Sequence, residues 1–128
     1  MRALFDTHAF LWWMTDDKRL SRTASRFVAD PENTSFLSAS SVWEIATKFR
    51  IGKLPSAATI VDDIETALTS EGFGSLDITL AHAHRAGLLP GPLRDPFDRI
   101  LIAQAQAEDL PLVSNERAFE RYGVRRIW

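Results

Sequence analysis

Cysteine is absent from this chain, so no disulfide staples it and no thiolate can hold a metal; a cytoplasmic setting is the simplest expectation. Long apolar runs are missing too. The longest, around Ala9 to Met14, falls far short of the roughly 20 residues that a membrane-spanning helix needs, so no membrane association is expected. No secretory leader is expected either, because Asp6 and His8 follow Arg2 too closely for an apolar core to form. Lysine is scarce: twelve of the fifteen basic residues are arginine, and Lys18, Lys48 and Lys53 all lie in the first half. That distribution argues against a receiver-like phosphoacceptor or a haloacid-type phosphatase. Both place an aspartate after the first strand, but both need a late lysine to neutralise the phosphoryl group, and the second would need an aspartate where His8 stands. Charge of one sign is also lacking. The formal net charge is -2, which neither announces a nucleic-acid binder nor excludes one.

What is present is enough for a single domain, residues 1–128, with one real core: 45% of the residues are hydrophobic. Repeats, linkers and low-complexity segments are not found. The Pro/Gly-rich stretch Leu88 to Pro96 reads as a loop within the domain. Strands are expected at Arg2 to Phe5, Thr34 to Ser38, Phe73 to Ile78, Leu110 to Ser114 and in the terminal VRRIW. Helices are expected at His8 to Met14, Leu20 to Ala29 with Ser21 as N-cap, Ser41 to Arg50, Ala57 to Ser70, Thr79 to Leu88, Phe97 to Ala107 and Arg117 to Tyr122. Strands alternating with helices predict an α/β fold: a three-layer α/β/α sandwich around a central, mostly parallel sheet. In such sheets the working crevice lies beyond the carboxyl ends of the strands.

Four acids fall at those ends. Asp6 follows the first strand, Glu44 lies early in the helix after the second, Asp98 opens the long apolar helix, and Glu116 comes two residues after Ser114. Each has a local explanation. Ser41 and Glu44 match a capping box; Asp95, Pro96 and Asp98 match an N-cap, a first-turn proline and an N3 acid; Asp6 and Glu116 could cap or complement helix dipoles. Capping contributes about 1 kcal/mol, enough to explain one such residue. It does not explain convergence. Four carboxylates at one edge repel unless a cation sits among them. Hard divalent ions, Mg2+ or Mn2+, take carboxylate oxygen and water as ligands. One ion, or two about 4 Å apart, lowers the pKa of bound water and neutralises a phosphoryl oxygen. The chemistry implied is metal-assisted hydrolysis of a phosphodiester.

With LFDTHAFLWW at the start, SASSVWEIATKFRIGKL in the middle, RDPFDRILIAQAQAEDLPLVSNERAFERYGV near the end and a terminal RRIW, the chain resembles the PIN-domain ribonucleases, and within them the VapC-like toxins of toxin–antitoxin pairs. The resemblance covers essentially the whole chain. It implies a PIN-like fold and a Mg2+- or Mn2+-dependent endoribonuclease whose metal-binding, catalytic acids are Asp6, Glu44, Asp98 and Glu116. Asp95 and Ser114 would support them, Ser114 standing where the family has a threonine that orients a carboxylate or water. The family's fourth acid is usually an aspartate; the longer Glu116 implies binding through water or weak support of a second ion. His8 stands where many members carry asparagine and is expected no closer than an outer position. The resemblance also implies a cognate antitoxin that silences the acidic groove, an RNA substrate and a homodimer. The rival function is a non-catalytic PIN-like module that binds RNA or protein; loss of two or more acids would favour it.

Other residues bear on the same chemistry. Arg94, Arg99 and Arg117 flank the C-terminal acids and could contact RNA phosphates, and Lys48, Arg50 and Lys53 form a basic edge beside the Glu44 helix. Each taken alone is more simply a solvated surface residue. His82 and His84 diverge on a helix, poor spacing for zinc. Trp12 and Trp13 fit burial between helices as well as a greasy edge for a partner.

Overall fold

The computed structural model describes every residue, Met1–Trp128. Five strands make one parallel sheet, β1 (Arg2–Phe5), β2 (Thr34–Ser38), β3 (Phe73–Leu76), β4 (Leu112–Val113) and β5 (Arg126–Ile127), in the order β3-β2-β1-β4-β5. Leu4 of β1 lies opposite Phe36 of β2 on one side and Leu112 of β4 on the other. The chain builds outward from β1 through β2 to β3, then crosses back to β4 and β5. That reversal at the β1/β4 boundary is where a crevice opens in doubly wound sheets.

The helices are α1 (Thr7–Met14), α2 (Arg22–Ala29), α3 (Ala39–Arg50), α4 (Ala58–Asp62), α5 (Ile64–Ser70), α6 (Leu80–Leu88) and α7 (Pro96–Glu108), with 3-10 turns at Pro55–Ala57 and Arg117–Tyr122. None is long and apolar enough to cross a membrane. Because successive strand residues face opposite sides, β1 feeds two cores. Ala3 and Phe5 join Phe10, Phe27, Leu37, Ile45 and Phe73 on one face. Leu4 joins Leu101, Ile102, Leu112, Phe119 and Val124 on the other. In the first core Phe73 takes the rings of Phe5 and Phe10 edge-on, with centroids 5.0 and 5.2 Å away. The α/β/α sandwich expected from the alternating pattern is the fold observed.

Three local expectations are corrected. The helix after β2 starts at Ala39, with Ser38 accepting from the Ser40 amide as its cap. Ser41 therefore sits inside the helix, Glu44 falls in its second turn, and the Ser41–Glu44 capping box does not exist. The single helix expected over Ala57 to Ser70 is broken at Asp63, whose side chain accepts from the Thr66 amide and starts α5. Apolar spacing runs through the break because Ile60, Ile64 and Leu68 all reach the same core. The segment Arg117–Tyr122 is helical, but tightly wound as a 3-10 turn.

A candidate acidic metal centre at the strand ends

Asp6 is the first residue beyond β1, its amide held by the Val113 carbonyl of β4. Its carboxylate accepts from the Ala9 amide at 2.7 Å, so it does cap α1. It is also 6% exposed and faces a cavity of about 150 Å³. Burial pushes its pKa up, against the Ser114 hydroxyl, the Ala9 amide and the nearby His8, which pull it down. Cap and site residue are the same side chain.

Glu44 reaches the cavity from the second turn of α3 and is 6% exposed. The Thr7 hydroxyl donates to its Oε1 at 2.5 Å and pairs with the Ser41 hydroxyl at 2.9 Å. The Lys48 ammonium, one turn on, grips its Oε2 at 2.5 Å. Asp98 enters from the first turn of α7. Asp95 caps that helix through the Phe97 and Asp98 amides, and Pro96 supplies a first residue with no amide proton to satisfy. The Asp98 pKa is pushed up to about 7, chiefly by burial and then by the charges of Asp95, Glu44, Asp6 and Glu116. Glu116 lies beyond β4 and caps the last 3-10 turn through the Ala118 amide, while its own amide donates to Ser114 Oγ at 2.9 Å.

The structure thus brings together on one cavity wall Asp6, Glu44, Asp95, Asp98 and Glu116, with Thr7, His8, Lys48 and Asn115 beside them and Phe119 behind. Five carboxylates face one ammonium. Larger depressions exist, about 590 Å³ beside Trp12 and Trp13 and about 550 Å³ beside α6, but neither gathers groups of one charge.

No three of the acids converge, as they stand, into a ready-made coordination group. Their chemistry nevertheless suits a hard cation. The donors are all oxygen, and Asp98 is driven toward its protonated form first by burial and then by repulsion from the neighbouring carboxylates, which a divalent ion relieves. Glu44 is bridged between the Thr7 hydroxyl and the Lys48 ammonium.

Several expectations change at this site. Arg99 does not face it: its guanidinium donates to the carbonyls of Ala86, Gly87, Leu89 and Leu93, tying the loop before α7 to the end of α6. As a phosphate contact it is therefore corrected to a clamp on the backbone. Arg94 and Arg117 are exposed, outside the cavity wall. His8 is exposed on the cavity's edge, its ring 5.8 Å from Trp12. Trp12 rests against Trp128 and under the Arg19 guanidinium, while the Trp13 indole donates to Glu71, so both are held within the chain. His82 is buried: Nδ1 accepts from the Thr79 amide and Nε2 pairs with Glu108 at 2.9 Å. Thr7 and Asn115 have no role in the sequence reading, and Lys48, expected on a basic edge beside the Glu44 helix, stands in the cavity wall itself. For Lys48 the signal was available, since residues four apart share a helix face.

A family model described as PIN domain matches residues 3–125. Among solved structures, VapBC2 from Rickettsia felis, bound to a DNA fragment from its promoter, is 16% identical over 100% of both chains with a TM-score of 0.70. VapC20 from Mycobacterium tuberculosis, a Sarcin-Ricin loop cleaving toxin, is 15% identical over 95% of both chains with a TM-score of 0.69. A toxin–antitoxin complex from Klebsiella pneumoniae is 20% identical over 89% of this chain and 86% of its own, with a TM-score of 0.57. At these identities the likeness is one of fold. Curated proteins offer no significant sequence match.

Proposed function

Since the chain belongs to the PIN-domain family, we propose that it is a metal-dependent endoribonuclease, the toxin of a toxin–antitoxin pair. The observation that carries this reading is the cavity at the carboxyl ends of β1 and β4, where acids from four separate elements meet. Structural likeness to toxins solved with antitoxins supports it.

Asp6, Glu44 and Asp98 would hold Mg2+ or Mn2+ directly, with Glu116 acting through water. When bound, such an ion supplies an activated water and neutralises charge on the phosphoryl oxygen. The chain's own residues do the rest. Ser114 steadies Asp6 and the turn that carries Glu116. Thr7 orients Glu44. Lys48 offsets part of the carboxylate charge and stands ready at the cavity wall for a phosphate oxygen. None of these side chains needs to form a covalent intermediate. Exposed Arg94 and Arg117 would contact the RNA backbone farther out.

Incubating the purified chain with RNA and Mg2+ or Mn2+ tests the reading. Cleavage should disappear in chelator and in Asp6→Asn, Glu44→Gln and Asp98→Asn, each still folded by circular dichroism. A wild-type chain that binds RNA and never cuts it would instead be the non-catalytic module. The same reading includes a cytoplasmic homodimer and a cognate antitoxin that covers the acidic groove. Co-expression with the adjacent reading frame should give co-purification and loss of cleavage.

A further inference from the structure

Beside the acids, two aromatic rings remain unused by the chemistry above. Trp43 precedes Glu44 on α3, and Phe97 precedes Asp98 on α7. The two rings meet across the helices at 4.9 Å between centroids, tilted 73° from one another. Trp43 is 61% exposed, so the contact fixes the plane of the indole while leaving most of its surface in water. Each ring stands next in sequence to a cavity acid, outside the cavity wall itself.

The surroundings decide what it meets. Residues 39, 43, 46 and 50 share one exposed stripe of α3, and apart from Trp43 they are Ala39, Ala46 and Arg50. The stripe by itself offers far less than the roughly 800 Å² per partner of a protein interface. It suits a single flat ring. Arg50 lies about 10 Å along the helix axis from Trp43 and offers a phosphate contact on the same stripe. Electrostatics favour the same occupant. A wall of five carboxylates repels a polyanion, so a strand held there needs affinity from contacts that do not depend on charge. Stacking on an aromatic ring is such a contact, and it tolerates any base.

We infer that Trp43, propped by Phe97, is a stacking platform for an unpaired nucleobase of a single-stranded RNA whose backbone passes the acidic cavity. This rests on the ribonuclease reading for its choice of ligand, and it assigns the indole to binding and not to the reacting atoms. Double-helical RNA, with its bases already stacked, would not use it.

The test measures binding and cleavage separately. In the Asp98→Asn background, which keeps strands intact, the affinity of a short mixed-sequence single-stranded RNA is compared with that of the abasic ribose-phosphate oligomer of the same length. Trp43→Ala should weaken RNA binding about tenfold and leave the abasic oligomer unaffected, while Trp43→Phe retains most of the affinity. In the otherwise wild-type chain Trp43→Ala should raise KM far more than it lowers kcat. Equal RNA affinity in Trp43→Ala, or equal losses for RNA and abasic strand, would overturn the platform. So would unchanged RNA affinity with a lost dimer, which would make this face a protein interface. If the chain binds RNA through Trp43 but never cuts it, the nuclease reading fails and the platform stands. If it binds no single-stranded RNA, both fail.

Discussion

Asp98 and Arg99 are neighbours on α7, yet they solve the problem of a charge beside the core in opposite ways. The Arg99 guanidinium is matched by the four carbonyls it clamps. His82 is matched too, between the Thr79 amide and Glu108. The Asp98 carboxylate faces four other acids, and nothing in its surroundings pulls its pKa back down. Matched charges next to a core hold a structure together. Mismatched ones cost stability, and a fold keeps them where a ligand resolves the mismatch. The sheet edge and the α6–α7 seam differ in this respect, although both carry ionisable groups into sheltered positions.

The contrast can be broken most directly at Asp98. Asp98→Asn should cut RNA cleavage by about 100-fold or more, measured as initial rate in Mg2+. The same change should raise the melting temperature in chelator, because it removes repulsion; a lower melting temperature would place Asp98 among the structural charges. Arg99→Ala should do the reverse. It should cost about 2–3 kcal/mol in urea denaturation by leaving several carbonyls without a donor, with Arg99→Lys recovering under half. At the seam, Glu108→Ala leaves the buried His82 Nε2 without its partner. A loss of about 1–2 kcal/mol is expected, and cleavage by the folded fraction should be unchanged.

The smallest effect is a slope with pH. The folded-state pKa of Asp98, about 7, lies above its ordinary value of 3.8, so the folded chain binds the extra proton between those limits. Its contribution to stability is therefore fully present below 3.8 and is lost as pH rises through about 7. Buried Asp6 is shifted in the same direction and adds to the slope. At the half-buried Asp98, solvent screening reduces the effect to about 1 kcal/mol. Melting curves in chelator should show it, and Asp98→Asn should flatten most of it. A saturating divalent ion should also remove it by stabilising the ionised form.

Much of this site was legible along the chain. Asp6, Asp98 and Glu116 announce themselves because they follow an apolar strand at once or within three residues, or open a Pro-led helix, and strand ends of a parallel sheet share one edge. Glu44 is marked by its place at a β-to-α junction, although its local explanation fails. The Ser41 pattern imitated a capping box, yet Ser38 holds the helix start, and Ser41 instead pairs with the Thr7 hydroxyl that holds Glu44. Thr7 gave no signal, since its partner lies 37 residues away. For Arg99, position beside an acid says nothing about direction: on α7 it points back to carbonyls at the end of α6 and in the loop that follows, while Asp98 faces the cavity.

Periodicity and strand–helix alternation were sufficient for the layers and the parallel sheet, because burial of one face per element is a local demand written at spacings of two and 3.6 residues. They also placed four acids at one edge. Which of those acids are paired, which are strained, and which neighbours turn toward them was decided only by packing. Thr7 on Glu44, Arg99 on the backbone carbonyls at the end of α6 and Phe97 against Trp43 are contacts between different elements, and their directions depend on how those elements cross. A charge brought into the site is balanced or left unbalanced by whatever a distant segment delivers, and that is a property of the assembled fold.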